Sequence, residues 1–384
     1  MAKAIRNSKD ALQTANAKDL EAGKAAGLSP AMLDRLELTD ARIASMADSV
    51  DQIADQGDPV GKVIEGRVLD NGIKLQKLRV PIGVVLIIFE SRPNVTSDAA
   101  ALCLKSGNAT VLRGGKEAMH SNQAIAKCVQ QGIAAAGIDP AAVQLVETTD
   151  RAAVGMLLKM EGKIDLCIPR GGESLIRAVV EQAHIPVIKH YTGNCHVYID
   201  SNCDEQMAVD ICVNAKTHRT GVCNAAETLL FHADAAANGV LQKVCEALAK
   251  LGVEIRGDSR TQAEFAQAKT ATDEDWAAEY LDKIIAVRVV DSLEQAAQHI
   301  NHYGSKHTDA IITRDLAAAD QFVKTIDTAN AFVNCSTRFS DGGQYGLGAE
   351  IGISTDKLHA RGPMGADDLT TTKWVAYGNG QTRQ

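Results

Sequence analysis

Aromatic residues are scarce, at 4% of the 384 positions, so the core must be filled by Val, Ile, Leu and Ala from among the 45% of residues that are apolar. Long apolar runs are missing. The longest tight one, Val84 to Phe89, is far short of the roughly 20 residues that span a bilayer, so no transmembrane helix is expected. The opening stretch MAKAIRNSKDALQTANAKDL has no continuous apolar centre and does not read as a secretory signal, which makes the cytoplasm the expected location. A basic excess is also absent. With a net charge of −8, a general nucleic-acid binder is disfavoured, and an anionic ligand would need a local basic pocket. The nine cysteines lie scattered from Cys103 to Cys335 with no C-x-x-C pair and no matching His cluster. Neither a disulfide framework nor a metal site is expected from that spacing, and most of the thiols read as small buried hydrophobes. No G-x-G-x-x-G occurs, so the usual dinucleotide fingerprint is lacking.

What is present is patterned. Residues up to about 57 carry helical spacing, as in Met32-Leu33-Leu36 and Ile43-Met46-Ile53, and form a helical lead-in. From Gly72 the stretch GIKLQKLRVPIGVVLIIFES reads as an exposed strand feeding a buried parallel one, where the sheet is expected to begin. Strand and helix patterns then alternate through ATVLRG, VQLVET, IDLCIPR and PVIKHYTG, and again through CHVYID, ETLLFHA, VEIRGD, KIIAVRVV, DAIITRD and AFVNC. Such alternation predicts βαβ units on parallel sheets, hence an α/β fold with two domains. The closing TTTKWVAYG is a β-prone segment that requires a partner, either residues 72–80 or another subunit.

Two turns echo each other: a strand, then Arg113-Gly114-Gly115 and a helix; a strand, then Arg170-Gly171-Gly172 and a helix. Glycines there let backbone N–H groups approach a phosphate at a helix N-terminus, although the same residues also serve simply to make a tight βα turn. Among the cysteines, Cys223 alone sits in a polar, glycine-bearing turn, KTHRTGVCNAAETLL, with His218 and Arg219 nearby in sequence. Neighbouring cations favour a reactive thiolate. A cysteine hydrolase would need a general-base His, and with ten histidines the pairing stays open. Phosphate cradles serve a dinucleotide enzyme rather than a hydrolase, which points toward acyl chemistry with hydride transfer.

The layout of a strand, G-N-A-T, a basic turn, and a downstream glycine-and-cysteine loop resembles the aldehyde dehydrogenase superfamily. Within it, VPIGVVLIIFESRPNVTSDAAALCLKSGNATVLRGGKEA, KTHRTGVCNAAETLL, FVNCSTRFSDGGQYGLGAEIGIST and HARGPMG are similar to the γ-glutamyl phosphate reductase family over nearly the whole chain. The resemblance implies a Rossmann-like NADPH-binding domain over 1–190 with the lead-in 1–57, an α/β catalytic domain over 191–362, and a small β oligomerisation element in which 363–384 pairs with 68–80. It implies reduction of L-glutamyl 5-phosphate to L-glutamate 5-semialdehyde in proline biosynthesis, through a thioester on Cys223. A homo-oligomer is expected, and association with glutamate 5-kinase, the source of the unstable acyl phosphate, is possible on this reading.

Carried onto this chain, the superfamily pattern puts Arg113 and Gly114 at a cofactor contact and Lys116 where NAD-preferring members place a glutamate. A cation there suits a 2′-phosphate, in keeping with NADPH. Gly171 and Gly172 complete the expected cofactor contacts, and Glu279 aligns with a glutamate that holds the nicotinamide ribose. His190 aligns with the general-base glutamate of hydrolytic members, and loss of that carboxylate fits a reductase that must spare its acyl phosphate. The Cys223 N–H and the Asn94 side chain are candidate oxyanion donors, with Asn94 equally suited to cap the helix near Val95. Arg92, Arg219, Arg338 and Arg361 are the choices for binding substrate anions, Arg92 and Arg361 ranking first. A hydrolytic aldehyde dehydrogenase and a catalytically silent scaffold are the competing readings. His190 and Lys116 count against the former, and Cys223 in an intact polar loop counts against the latter.

Overall fold

The computed structural model describes residues 1–383. The chain divides into two compact units, one comprising Met1–Lys189, Gly346–Gly352 and Pro363–Gln384, the other His190–Tyr345 and Ile353–Gly362. Relative to the boundaries read from the sequence, Gly346–Gly352 and the 363–384 segment fall in the first unit and His190 in the second. Among the described residues no helix is long and apolar enough to cross a membrane.

In the first unit the lead-in folds into helices Ala2–Asn7, Lys9–Ala25, Pro30–Leu36 and Asp40–Asp55. The Ser29 and Thr39 side chains accept from the backbone N–H groups of Met32 and Arg42, capping the last two. Asp19 accepts from the backbone of His120 and Ser121 at 3.1 and 2.7 Å, which satisfies orphan donors at the start of helix Met119–Ala134 and ties the lead-in to the sheet-bearing part. The sheet has four parallel strands in the order Val143–Leu145, Ala109–Gly114, Val84–Phe89, Leu166–Arg170. Val84–Phe89 is central and its residues from Val85 onward are buried, which explains its unbroken apolar run.

A separate antiparallel sheet sets Lys74–Pro81 between Val63–Val68 and Thr370–Tyr377, with register from Thr370↔Pro81 to Tyr377↔Lys74. Strand formation therefore starts before Gly72: Val63–Val68 is exposed at every position, so no buried face imposes an alternation that sequence could reveal. The expected partner of 68–80 was 363–384, of which residue 384 lies outside the described residues and 370–377 form the paired strand. PVIKHYTG, expected as a strand, makes only an isolated bridge from Val187 to Cys167.

The second unit is built on seven parallel strands in the order Lys269–Thr270, Glu254–Gly257, Ile284–Val290, Ala226–His232, Cys195–Ile199, Thr308–Ile312, Asn330–Val333. Val197, Leu229, Phe231, Val287 and Ile312 pack one face against Ile211, Val244 and Leu248, and Tyr198, Leu230 and Ile311 pack the other against Ile300 and Phe322. Aliphatic residues carry this core, as the shortage of aromatics requires.

Candidate active site

The four central strands of the second unit, Ile284–Val290, Ala226–His232, Cys195–Ile199 and Thr308–Ile312, are neighbours and run the same way. The segments that enter them therefore meet at one edge of the sheet. These segments carry Glu279, Cys223, His190 with Gly193, and His307, which lie apart in sequence and gather at the amino ends of the strands. Open α/β sheets more often place ligands at the carboxyl ends.

Cys223 lies half-buried between helix Glu205–Thr217 and strand Ala226–His232. A β-carbon at Gly193 would stand 2.0 Å from the Cys223 carbonyl oxygen and 2.4 Å from its Cα. Only glycine tolerates that approach. The Gly193 N–H donates to Glu279 Oε1 at 2.8 Å, and the Cys195 thiol donates to the Cys223 carbonyl at 3.1 Å. On the far side, Asn224 Nδ2 donates to the Ser340 carbonyl at 2.9 Å and the Thr337 hydroxyl to the Asn224 carbonyl at 2.7 Å. Lys216 and Glu227 bracket the loop and form an ion pair at 2.5 Å with both side chains fully buried. Burial pushes the Lys216 ammonium down and the Glu227 carboxyl up, against the pull of their mutual attraction. The thiol is thus presented by a loop fixed at both ends.

Donor atoms of His190, Cys223 and His307 lie within 4.8 Å of one another. His190 Nδ1 is 2.7 Å from the Ile353 carbonyl, which can only accept, so this nitrogen carries the proton and Nε2 keeps its lone pair in the neutral ring. The two imidazoles meet edge to face at 5.4 Å between centroids. The sequence reading of no cluster rested on spacing along the chain, and the sheet brings together in space what that spacing kept apart.

Six of the nine cysteines, Cys103, Cys128, Cys167, Cys195, Cys212 and Cys245, are buried. Burial pushes the thiols of Cys103, Cys167 and Cys245 up to about 12, which makes them inert packing residues.

The arginines separate. Arg338, which ranked below two others in the sequence reading, donates from Nε to His218 Nδ1 at 3.3 Å, and its guanidinium is held below its usual range by burial while feeling the charges of Asp341, Cys223 and Arg219. Arg219 is exposed at the start of the cysteine loop. Arg361 instead joins Lys306 and Lys357 around Asp327, at 2.8, 3.1 and 2.9 Å. Its Nη2 is the nitrogen engaged in this ion-pair cluster.

In the first unit, a shallow cleft is lined by Gly114, Gly115, Met119, Asn122 and the 145–149 loop. Added β-carbons at Gly114 and Gly115 would stand 2.1 Å from the side-chain ends of Asn122 and Glu117, which would have to shift. Lys116 follows, exposed, at the start of a short 3₁₀ turn. Arg113 donates to the carbonyls of Gly114 and Thr149 at 3.0 and 3.1 Å, clamping the cleft rather than reaching into solvent. The second turn differs. Glu90 Oε2 accepts from Gly172 N–H at 3.0 Å and would lie 2.4 Å from a β-carbon on Gly171. The Glu90 side chain thus already occupies the Gly172 N–H that the expected phosphate cradle would offer.

In the loop between, Ser91 adopts φ 39°, held by two hydrogen bonds to Glu117 Oε1 at 2.7 and 2.8 Å. Arg92 is exposed in this loop. Asn94 occupies the cap position of helix Val95–Lys105, but its backbone is already helical and no side-chain cap bond forms; its amide donates to Asp98 at 2.9 Å. Burial raises the Asp98 carboxyl to about 6.

The model of the aldehyde dehydrogenase family matches residues 2–269. The γ-glutamyl phosphate reductase of Thermotoga maritima is 42% identical with a TM-score of 0.97, covering 100% of this chain and 92% of its own. That of Saccharomyces cerevisiae is 33% identical with a TM-score of 0.51, covering 99% and 90%. An engineered glycolyl-CoA reductase with bound NADP⁺ shares the fold at 15% identity and a TM-score of 0.65, covering 97% and 95%. With two thirds of its length inside the family model and full-length likeness to these reductases, the chain belongs to the aldehyde dehydrogenase family, in its γ-glutamyl phosphate reductase branch, and is an oxidoreductase.

Proposed function

We propose that this enzyme reduces L-glutamyl 5-phosphate to L-glutamate 5-semialdehyde with NADPH, through a thioester on Cys223, in proline biosynthesis. The observation that carries the reading is the half-buried Cys223 thiol beside His190, on a loop held by Gly193, Asn224 and the Lys216–Glu227 pair. His190 Nε2 accepts the thiol proton, and the thiolate attacks the acyl carbon. The carbon–oxygen bond to phosphate breaks, phosphate leaves, and a thioester remains. When bound, the nicotinamide supplies a hydride to the thioester carbon. Collapse of the resulting hemithioacetal breaks the carbon–sulfur bond, releases the aldehyde and restores the thiolate. The Cys223 N–H stabilises negative charge on the acyl oxygen, a contribution often worth ~3 kcal/mol. Arg338 and Arg219 supply the cationic surroundings that an acyl phosphate needs.

The residues around the 114–116 turn suit an anionic cofactor, because the cleft they line lies beside an exposed cation, Lys116. NADPH is the donor in this reading, with Lys116 on the 2′-phosphate. The test runs the reaction backwards from glutamate semialdehyde with NADP⁺, following NADPH absorbance. Turnover should require inorganic phosphate, and Cys223→Ala should abolish it while leaving the fold intact. Phosphate-independent turnover yielding free glutamate would replace this reading with a hydrolytic dehydrogenase.

A further inference from the structure

We infer that His190, Cys223 and His307 form a binding site for a borderline-soft divalent cation, zinc above all, and that its occupation switches the enzyme off. Three features of the cluster match a zinc site. The donor set is two imidazoles and one thiolate, the chemistry that zinc prefers, with a fourth position left for water. The donor atoms already lie within 4.8 Å of one another. Ligands on a tetrahedral zinc stand roughly 3.5 Å apart, so side-chain shifts of about 1 Å close the site.

The third feature is the setting of the two rings. His190 donates from Nδ1 to the Ile353 carbonyl at 2.7 Å. His307 Nδ1 lies 2.9 Å from Thr308 Oγ1, which lies 2.9 Å from Ser340 Oγ, so an oxygen stands behind this ring too. The Ile353 carbonyl fixes His190 as the Nδ1–H tautomer with Nε2 to ligate, and the Thr308 hydroxyl can accept from His307 Nδ1 in the same way. Oxygen acceptors behind metal-bound histidines play this same orienting part. Binding releases the thiol proton and forms a Zn–S bond, which removes the sulfur lone pair needed for acyl attack. Metal binding rests on the geometry alone, whereas the loss of turnover rests on Cys223 being the nucleophile.

Cobalt is the probe, titrated into the full-length, chelator-treated enzyme without substrate. A thiolate-to-cobalt charge-transfer band with tetrahedral d–d absorption is expected, displaced by zinc and absent in Cys223→Ser. His307→Asn should weaken cobalt binding by more than ~10-fold, the loss that even supporting residues of a metal site produce. Should this buried variant fail to fold, the half-buried His190→Gln is read for the same loss of cobalt affinity. Micromolar zinc should inhibit the wild type and a chelator should restore it. No charge-transfer band, or cobalt affinity unchanged in a folded histidine variant, would overturn the site. A cobalt signature with turnover unaffected by zinc would uphold the site and instead overturn the assignment of Cys223 as nucleophile.

Discussion

Gly193 shows how a residue without a side chain governs a reactive one. Its missing β-carbon leaves room for the Cys223 backbone, and its N–H is anchored by Glu279. Gly193→Ala should displace the cysteine loop, since backbone at 2.0 to 2.5 Å cannot yield as a flexible side chain would. A displacement near 1 Å at a reacting group costs ~100-fold in rate. The expected outcome is a kcat lower by about that factor in a variant whose far-ultraviolet circular dichroism is unchanged; a kcat within twofold of wild type would show that the approach does not hold the nucleophile. Cys223 could be singled out in the sequence because its glycine-bearing polar turn differs from the apolar settings of the other cysteines. Gly193 and His307 could not, because their importance arises from the register of strands Cys195–Ile199, Ala226–His232 and Thr308–Ile312, a non-local property.

At the scale of elements, the central strand Val84–Phe89 was legible as a continuous apolar run, since burial on both faces selects apolar residues, and the other parallel strands by their alternation with helical stretches. Val63–Val68 was not, because it faces solvent throughout, and PVIKHYTG misled because its Val187-Ile188 start makes one bridge rather than a ladder. The ends of elements also set the site's stability. Helix Glu205–Thr217 and strand Ala226–His232 are joined by the buried Lys216–Glu227 pair, so Lys216→Met leaves a lone buried carboxylate and should cost ~3 kcal/mol, read in urea unfolding. Adding Glu227→Leu should recover most of that loss, and an equally unstable double variant would mean that the pair does not act as a unit.

Helix Leu293–Tyr303 contributes a different sensitivity. His299, packed against His196, Trp276 and Tyr303, is pushed down to about 2 by burial and by the neighbouring His196 and Arg288. Its folded value lies below its unfolded one of about 6.5, so the unfolded chain binds the proton first and stability falls as pH drops through that value. Between pH 7 and 5 the loss should be roughly 2 kcal/mol, and His299→Phe should remove most of this slope in denaturant melts at the two pH values.

For the whole molecule, the three-stranded sheet poses the remaining physical problem. Cross-strand pairing puts Val68, Lys74 and Tyr377 on one face, with Leu78, Gln76 and Val375 along the same side, while Trp374 lies on the other face under Arg67 and Lys77. Val68 and Tyr377 are 67% and 57% exposed, and Val63–Val68 is an edge strand with no outer neighbour in its sheet. Natural sheets rarely leave such an edge, with exposed Val and Tyr beside it, uncovered. A second copy of the chain is the proposed cover, in line with the oligomerisation role expected of this segment. Light scattering should then give a mass well above the 40.8 kDa of one chain. Val68→Lys combined with Tyr377→Lys puts two more cations on that face beside Lys74 and should reduce the mass to that of one chain. Because neither side chain is in a core, thermal stability of the subunit should change by less than about 1 kcal/mol. An unchanged multimer in the double variant, or a wild type that runs as a single chain at every concentration, would show that this sheet closes no interface.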